Sequence, residues 1–467
     1  MQGRERKQTE SGIFPSTQKT PVVMSLFDRL FSKNSADEQE PDIRFGRYTD
    51  SYKTAAQYDA WDQSLESFEQ EKYIESYRAF FDYLRDDRED NVILVEQGEE
   101  QLSFELYQGS KKVVGFANAF QFKACATVAR AKDLHIGFMR RLIEQNYDLK
   151  YSRFALDQNN NIQIIFDSYT LDGSPYKLYY ALKEVATNAD KLDDLLINEF
   201  PMLQQTQASH LRALPESEKE VKYQFVKAKI QAALQELDAG RLDGNKYPLG
   251  VSYLLLDLCY RLDYLAKPEG FMMETLERMH RQFFAKDEKN TAQKNQALRK
   301  EFEKLLERPK EDLFKELYIV RSTFGITNPV NHDALVNLID GELHNMDWFV
   351  EHDYTQVALA IPGYLAGYSL FYYAVPKPDR DFLHLYFQIS EPAFFKSLDF
   401  PSQYYDPNKN SFDKKAIKRA IRKIVENNEE RYPKMRPALN TLRFDSLATF
   451  AKSYLLMIRN LDVSKVS

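Results

Sequence analysis

The chain has 467 residues, 43% of them hydrophobic and 28% charged, and carries a net charge of −7. That length exceeds one ordinary core, so two or three domains are expected, and the composition excludes a wholly disordered chain. The acidic balance gives no global attraction to nucleic acid or anionic lipid. Two cysteines, Cys125 and Cys259, exclude a disulfide framework and fit a reducing, cytoplasmic setting.

Residues 1–45 read as a disordered tail. "MQGRERKQTESGIFPSTQKTPVV" is polar and lacks the apolar run of a signal peptide. Met24 then opens "MSLFDRLFSK" and reads as the natural start. Leu26, Phe27, Leu30 and Phe31 share one helical face there. The plain reading is a short helix resting on the folded body. The sharper one is a docking peptide for a partner or a membrane surface.

Residues 46–205 read as an α+β domain. A helix is expected over Ser64–Leu84, with Phe68, Tyr73, Tyr77, Phe80 and Leu84 as its stripe. "NVILVEQ" reads as a short buried strand, and "QLSFELYQGSKKVVGFAN" as strand, turn, strand. In "QFKACATVA", Phe122, Ala124, Ala126 and Val128 alternate with Lys123, Cys125 and Thr127, which is the period of a half-buried strand. A helix follows in "DLHIGFMRRLIEQNYDL", its face formed by Ile136, Met139, Leu142 and Ile143. Strands over Tyr151–Leu156 and Ile162–Ser168 flank the turn "DQNNN". Ser174 caps and Pro175 begins a helix that runs to about Asn198. The order is helix, four strands, helix, two strands, helix, as in an antiparallel sheet packed with helices.

Residues 206–322 read as a helical region, with candidate helices at Pro215–Leu237, "PLGVSYLLLDLCYRLDYLA", "FMMETLERMHRQFF" and "LRKEFEKLLERPKEDLFKELYIV". Cys259 lies among leucines, as an inert core thiol would. Residues 323–467 read as a C-terminal α+β domain. A helix is expected around Asp333–Phe349, strands near Gln356–Ile361, Tyr368–Val375 and Phe382–Ile389, and helices at Lys414–Asn427 and Phe444–Asn460. The uncharged run Val357–Val375 is about long enough to span a bilayer. Its Pro362, Gly363 and Gly367 instead favour two buried strands.

Part of this pattern is familiar. "FMRRLIEQN" closing a helix, the strand pair "FALDQNNNIQIIFD" and the long helix with "ALKEVATNADKLDDLL" resemble the YbjN family and the related type III secretion chaperone-like fold, over roughly residues 60–200. The resemblance implies a small chaperone-like domain that holds extended partner segments on apolar grooves, often as a homodimer, with no catalytic residue to carry over. The chain adds more than 250 residues beyond that domain.

Chemistry leaves few linear traces. No phosphate loop, nucleophile elbow, zincin helix or paired-cysteine motif occurs, so neither an enzyme nor a cofactor is expected. "NHDALVNLIDGELHNMDWFVEHD" is dense in His and acids, and His344 and Asp347 share a helical face as half a metal site would. The plain reading is an exposed polar face. "SFDKKAIKRAIRKIVENNEER" places Lys414, Lys415, Lys418, Arg419, Arg422 and Lys423 on one side of a helix and apolar residues on the other. That describes a core-docked helix with a solvated face, or a patch for an acidic partner or phosphates. The overall expectation is a non-enzymatic, chaperone-like protein-interaction protein that does not bind nucleic acid. The rivals are an enzyme whose site forms between domains and a membrane-associated factor.

Overall fold

The computed structural model describes residues 40–200, 202–206 and 211–465. Leu26, Phe27, Leu30 and Phe31 of the candidate docking peptide, and Met24, lie outside them.

Two helices come first, α1 (Ala55–Glu69) and α2 (Tyr73–Leu84). The single helix expected over Ser64–Leu84 is thus broken. Glu71 takes a left-handed φ of 60° and the chain reverses. Serines allow the two helices to pack closely. Ser64 Oγ donates to Ser76 O and Ser76 Oγ to Ser64 O, each at 2.8 Å and fully buried.

The sheet follows: β1 (Val92–Glu96), β2 (Gln101–Gln108), β3 (Lys111–Asn118), β4 (Gln121–Ala131), then α3 (Ile136–Asp148), β5 (Arg153–Leu156) and β6 (Asn161–Tyr169). Four strands precede α3, one for each of the four strand segments read from the sequence. They pair antiparallel in the order β1-β2-β3-β4-β6-β5. A seventh strand, β7 (Leu203–Gln205), pairs with the end of β4 beyond the reach of β3. The long helix α4 (Pro175–Glu199) starts at Ser174, whose Oγ accepts the Lys177 N–H, and has Pro175 in its first turn. It lays Leu178, Leu182, Val185 and Ala189 on the sheet, all at 0% exposure. Tyr77, Phe80, Phe81 and Leu84 of α2 complete this core against Phe104, Phe122 and Phe166. Alternation along the strands puts one apolar set there, as the period of two requires.

Two expectations fail in this half. β1 is an edge strand, and only Val92 of it is buried. In α3 the buried residues are Phe138 and Leu142, while Ile136 and Ile143 are 83% and 69% exposed. The helix is turned toward Phe200 at the end of α4.

From Glu216 the chain is mainly helical: α5 (Glu216–Asp238), α6 (Pro248–Ala266), α7 (Gly270–Phe284), α8 (Thr291–Glu307), α9 (Lys310–Lys315), α10 (His332–Glu342), α11 (Asn345–Glu351), α12 (Thr355–Tyr372), α13 (Lys377–Ser390), α14 (Pro392–Ser397), α15 (Lys414–Asn428) and α16 (Leu447–Arg459). The strands expected at Gln356–Ile361, Tyr368–Val375 and Phe382–Ile389 are helical except for the end of the second. α12 carries Pro362 within it, α13 covers the third, and β structure in this half is confined to two-residue ladders. The molecule is α+β, with its sheet in the N-terminal half and helices after it.

The misreading has a physical cause. α12 is buried on nearly every side, so it has no polar face to give a helical period. Its glycines serve packing. A Cβ at Gly363 would lie 2.2 Å from Asp257 Oδ1 of α6, and one at Gly367 would lie 2.7 Å from Tyr260 Cβ. Among the described residues no helix is long and apolar enough to cross a membrane. One hydrophobic cluster runs from Leu214 to Leu461, across the expected boundary at residue 322.

Candidate functional site

Residues 42–53 form a strap that touches both cores. Phe45 sits in the helical core and Gly46 N–H donates to Tyr264 O at 2.8 Å. Arg47 forks onto Asp263 at 2.6 and 3.0 Å and reaches Glu277 at 2.7 Å. Tyr48 OH donates to Asp86, and Asp50 accepts from Tyr179 OH at 2.6 Å. Lys53 Nζ donates to Tyr83 O at 2.9 Å.

The strap itself, Arg44 included, lines a cleft of about 370 Å³, with Asp86 and Glu89 on the sheet side and Tyr264, Arg380 and His384 on the helical side. Its electrostatics are set by burial. Burial lowers the Lys53 pKa, opposed by the charges of Asp50 and Asp86. Burial, helped by Arg380, takes His384 down to about 4, so it is a neutral acceptor or donor toward Tyr264 OH at 3.0 Å. Burial would raise Glu277, but Arg47 and Lys191 outweigh it and hold the carboxyl at about 2. These groups are engaged in holding the strap. Among the described residues, Lys53, His384 and Glu277 each meet a partner within the protein.

The histidine-rich stretch is distributed in the same way. His332 Nδ1 meets both carboxylate oxygens of the buried Asp379 at 2.9 Å. Glu342 accepts from Tyr253 OH, Asp340 pairs with Arg459, and Asp347 pairs with Lys452. His344 stands just before α11. Among the described residues no group of three His, Cys, Asp or Glu could hold a metal ion. Cys125 lies half-buried on the sheet, its thiol pushed up to about 11 by burial and by Asp157. Cys259 is fully buried and likewise raised.

One accessible, partly apolar surface lies on the sheet. The space between sheet and helices is filled by the core just described, and the opposite face of the sheet carries no helix among the described residues. Register aligns Ile93, Glu105, Val114, Cys125, Ile165 and Arg153 in one row across that face. Val95, Ser103, Phe116, Lys123 and Asp167 form the next. Ile93, Val95 and Val114 are 38%, 53% and 41% exposed.

At the rim of this face β1 is an open edge. Asn91 O accepts from Tyr107 N–H, and Gln97 N–H donates to Gln101 O. The alternation of an antiparallel ladder therefore turns the N–H and C=O groups of Val92, Leu94 and Glu96 outward. Such edges are usually blunted by Pro, Lys or a bulge. β1 has none, and only Glu96 on it is charged.

The six basic residues singled out from the sequence fall together as expected. All lie on α15, which buries Ile417 and Ile421 and keeps five of the six cations exposed, with Lys418 half-buried. Sequence reasoning misses the strap and the cleft. Arg47, Tyr264 and His384 are hundreds of residues apart and leave no linear spacing to read. The edge character of β1 depends on strand order, which hydropathy does not report.

Comparison with protein-family models and with curated proteins finds no match for this chain.

Proposed function

We propose that this is a non-enzymatic, cytosolic interaction protein that holds an extended segment of a partner protein along β1. The open edge with Ile93 and Val95 exposed is the observation that carries this reading. A strand added there gains main-chain hydrogen bonds from Val92, Leu94 and Glu96, and its alternate side chains extend the Ile93–Val114–Ile165 row. Glu99 and Glu100 stand exposed at the end of β1, so the segment is apolar at alternate positions and basic at one end. The resemblance of residues 60–200 to chaperone-like domains that hold extended segments supports the same reading. Two unpaired cysteines suit a reducing compartment.

The test uses the full chain and a fluorescent eight-residue peptide of alternating valine and threonine, with lysine at each end. Anisotropy should report binding. Glu96→Pro removes an outward N–H without touching the β1–β2 ladder, and Ile93→Lys charges the row. Each should weaken binding at least tenfold. Equal binding by the parent and Glu96→Pro, or none by the parent, overturns the proposal.

A further inference from the structure

The charge of this molecule is strongly polarised. Residues 414–443 contain ten Lys and Arg (Lys414, Lys415, Lys418, Arg419, Arg422, Lys423, Arg431, Lys434, Arg436, Arg443) against three Glu (Glu426, Glu429, Glu430). That is a net +7 (10 − 3) within a chain of −7, so the other residues sum to −14. Among the described residues none of the ten forms an ion pair. Elsewhere the helices spend their cations on neighbours: Arg299 pairs with Asp238 and Glu303, and Arg261 with Asp257 and Glu391.

The acids near α15 are already engaged or few. Asp413 caps the helix by accepting the Ala416 N–H at 2.8 Å. Asp381 of α13 accepts from Lys377 at 2.7 Å and from Asn428 at 3.0 Å. Ile417 and Ile421, both at 0% exposure, fix the helix to the core. The cations therefore stand on a rigid support in two rows, 414–418–422 and 415–419–423. Steps of four residues place them about 6 Å apart along each row.

The geometry points to α15 as a docking surface for an acidic helix of a partner protein. A helix with Asp or Glu at every fourth position repeats its charges at the same rise of about 6 Å, and Arg419 and Arg422 can each make paired contacts to a carboxylate. Nucleic acid fits less well. The nearby rings are engaged internally, since Phe412 packs on Phe444 and Phe450, Lys414 lies over the Phe444 ring, and Tyr432 is buried, which leaves no free stacking platform beside α15 among the described residues. A membrane fits less well too, because the apolar face that would enter lipid is docked in the core. This surface stands independently of the reading of β1.

The experiment takes the full-length protein and a fluorescent twenty-residue helical peptide of alanine with glutamate at every fourth position. Twenty-nucleotide poly-dT and vesicles containing phosphatidylserine serve as rival probes. The peptide should bind, with an affinity that falls as NaCl rises from 50 to 300 mM. Lys418→Gln/Arg419→Gln/Arg422→Gln should weaken it at least tenfold, and Lys286→Gln/Lys289→Gln should leave it unchanged. If the triple variant loses its native circular dichroism, the reversal Lys415→Glu/Arg419→Glu replaces it. Retained binding by the α15 variants overturns the proposal, as does tighter binding of poly-dT or vesicles than of the peptide. Because β1 is untouched in these variants, the valine–threonine peptide reports on the first proposal separately.

Discussion

Gly46 has φ +65°, and a Cβ there would lie 2.5 Å from the Tyr264 ring, which is 4% exposed. Alanine at this position must hold a left-handed backbone and displace a buried ring in the same step. Gly46→Ala is expected to cost about 2–4 kcal/mol, read as a lower urea midpoint. A midpoint equal to the parent's would remove the strap from the list of stabilising contacts. The buried histidines make a second prediction at this scale. His280 and His384 take protons in the unfolded chain near 6.5 but in the folded chain only near 4, burial being the main cause and nearby Arg charge the next. Between those values the unfolded state binds more protons, so stability falls as pH drops from 6.5 to 4, by up to about 1.4 kcal/mol per pH unit for each. His332 has the opposite sign. Burial would lower its pKa, but the hydrogen bond and charge of Asp379 raise it, so its contribution is complete below 6.5 and fades as pH rises through the folded value. His384→Gln should flatten the acid slope measured by urea titration at pH 4.5, 5.5 and 6.5. An unchanged slope would sink this account. Some of this scale was legible in the sequence. Ser174 as a cap and Cys259 as an inert core thiol both follow from local residue chemistry, whereas the burial of His384 depends on residues far away in the chain.

At the scale of elements, legibility tracks how many sides of an element are covered. β2, β3, β4 and β6 each have one buried and one open face, so alternation writes them into the sequence. α4 has one buried stripe, and its 3.6-residue period is equally plain. α12 and α13 are covered nearly all round and carry many aromatic residues, so their letters match a buried strand as well as a buried helix. The break between α1 and α2 was hidden for another reason, because Phe68 and Tyr73 continue a plausible stripe across it. What holds that hairpin is the exchange of hydroxyl hydrogen bonds between Ser64 and Ser76 at a contact too tight for larger side chains. Ser64→Ala removes one buried hydrogen bond and should cost about 1 kcal/mol. Ser64→Leu must also push the helices apart, and should cost about 2–4 kcal/mol once overpacking is included. Thermal denaturation followed by circular dichroism checks the order. If the two variants melted together, close packing would not be what the serines provide.

At the scale of the whole molecule, two hydrophobic clusters share one chain, one built on the sheet and one on helices α5 to α16. Apolar packing joins them, as where Phe324 enters the sheet cluster against Tyr179, and so do polar contacts centred on the strap. Arg47 binds Asp263 and Glu277 of the helical part and stacks over Phe371 at 4.0 Å. Lys191 of α4 reaches the same Glu277 at 2.9 Å. Glu277 is thus held from the strap and from the sheet module together. Removing one partner from buried charges costs more than the pair contributes, because the remaining carboxylates lose their counter-ion without regaining water. Arg47→Met should therefore destabilise the helical part by about 3–5 kcal/mol and weaken its coupling to the sheet. The chain holds two tryptophans, one in each part, which makes this measurable. Trp61 packs on Tyr83 and Tyr176 beside the sheet core, and Trp348 stacks on His352 and Tyr354 in the helical part. In Trp61→Phe and Trp348→Phe backgrounds, the remaining tryptophan reports one part alone. With Arg47 present, the two urea midpoints should coincide, as coupled unfolding requires. With Arg47→Met added, the Trp348 midpoint should fall well below the Trp61 midpoint. If both move together by the same amount, the coupling runs through the packed contacts of the strap and not through this ion cluster.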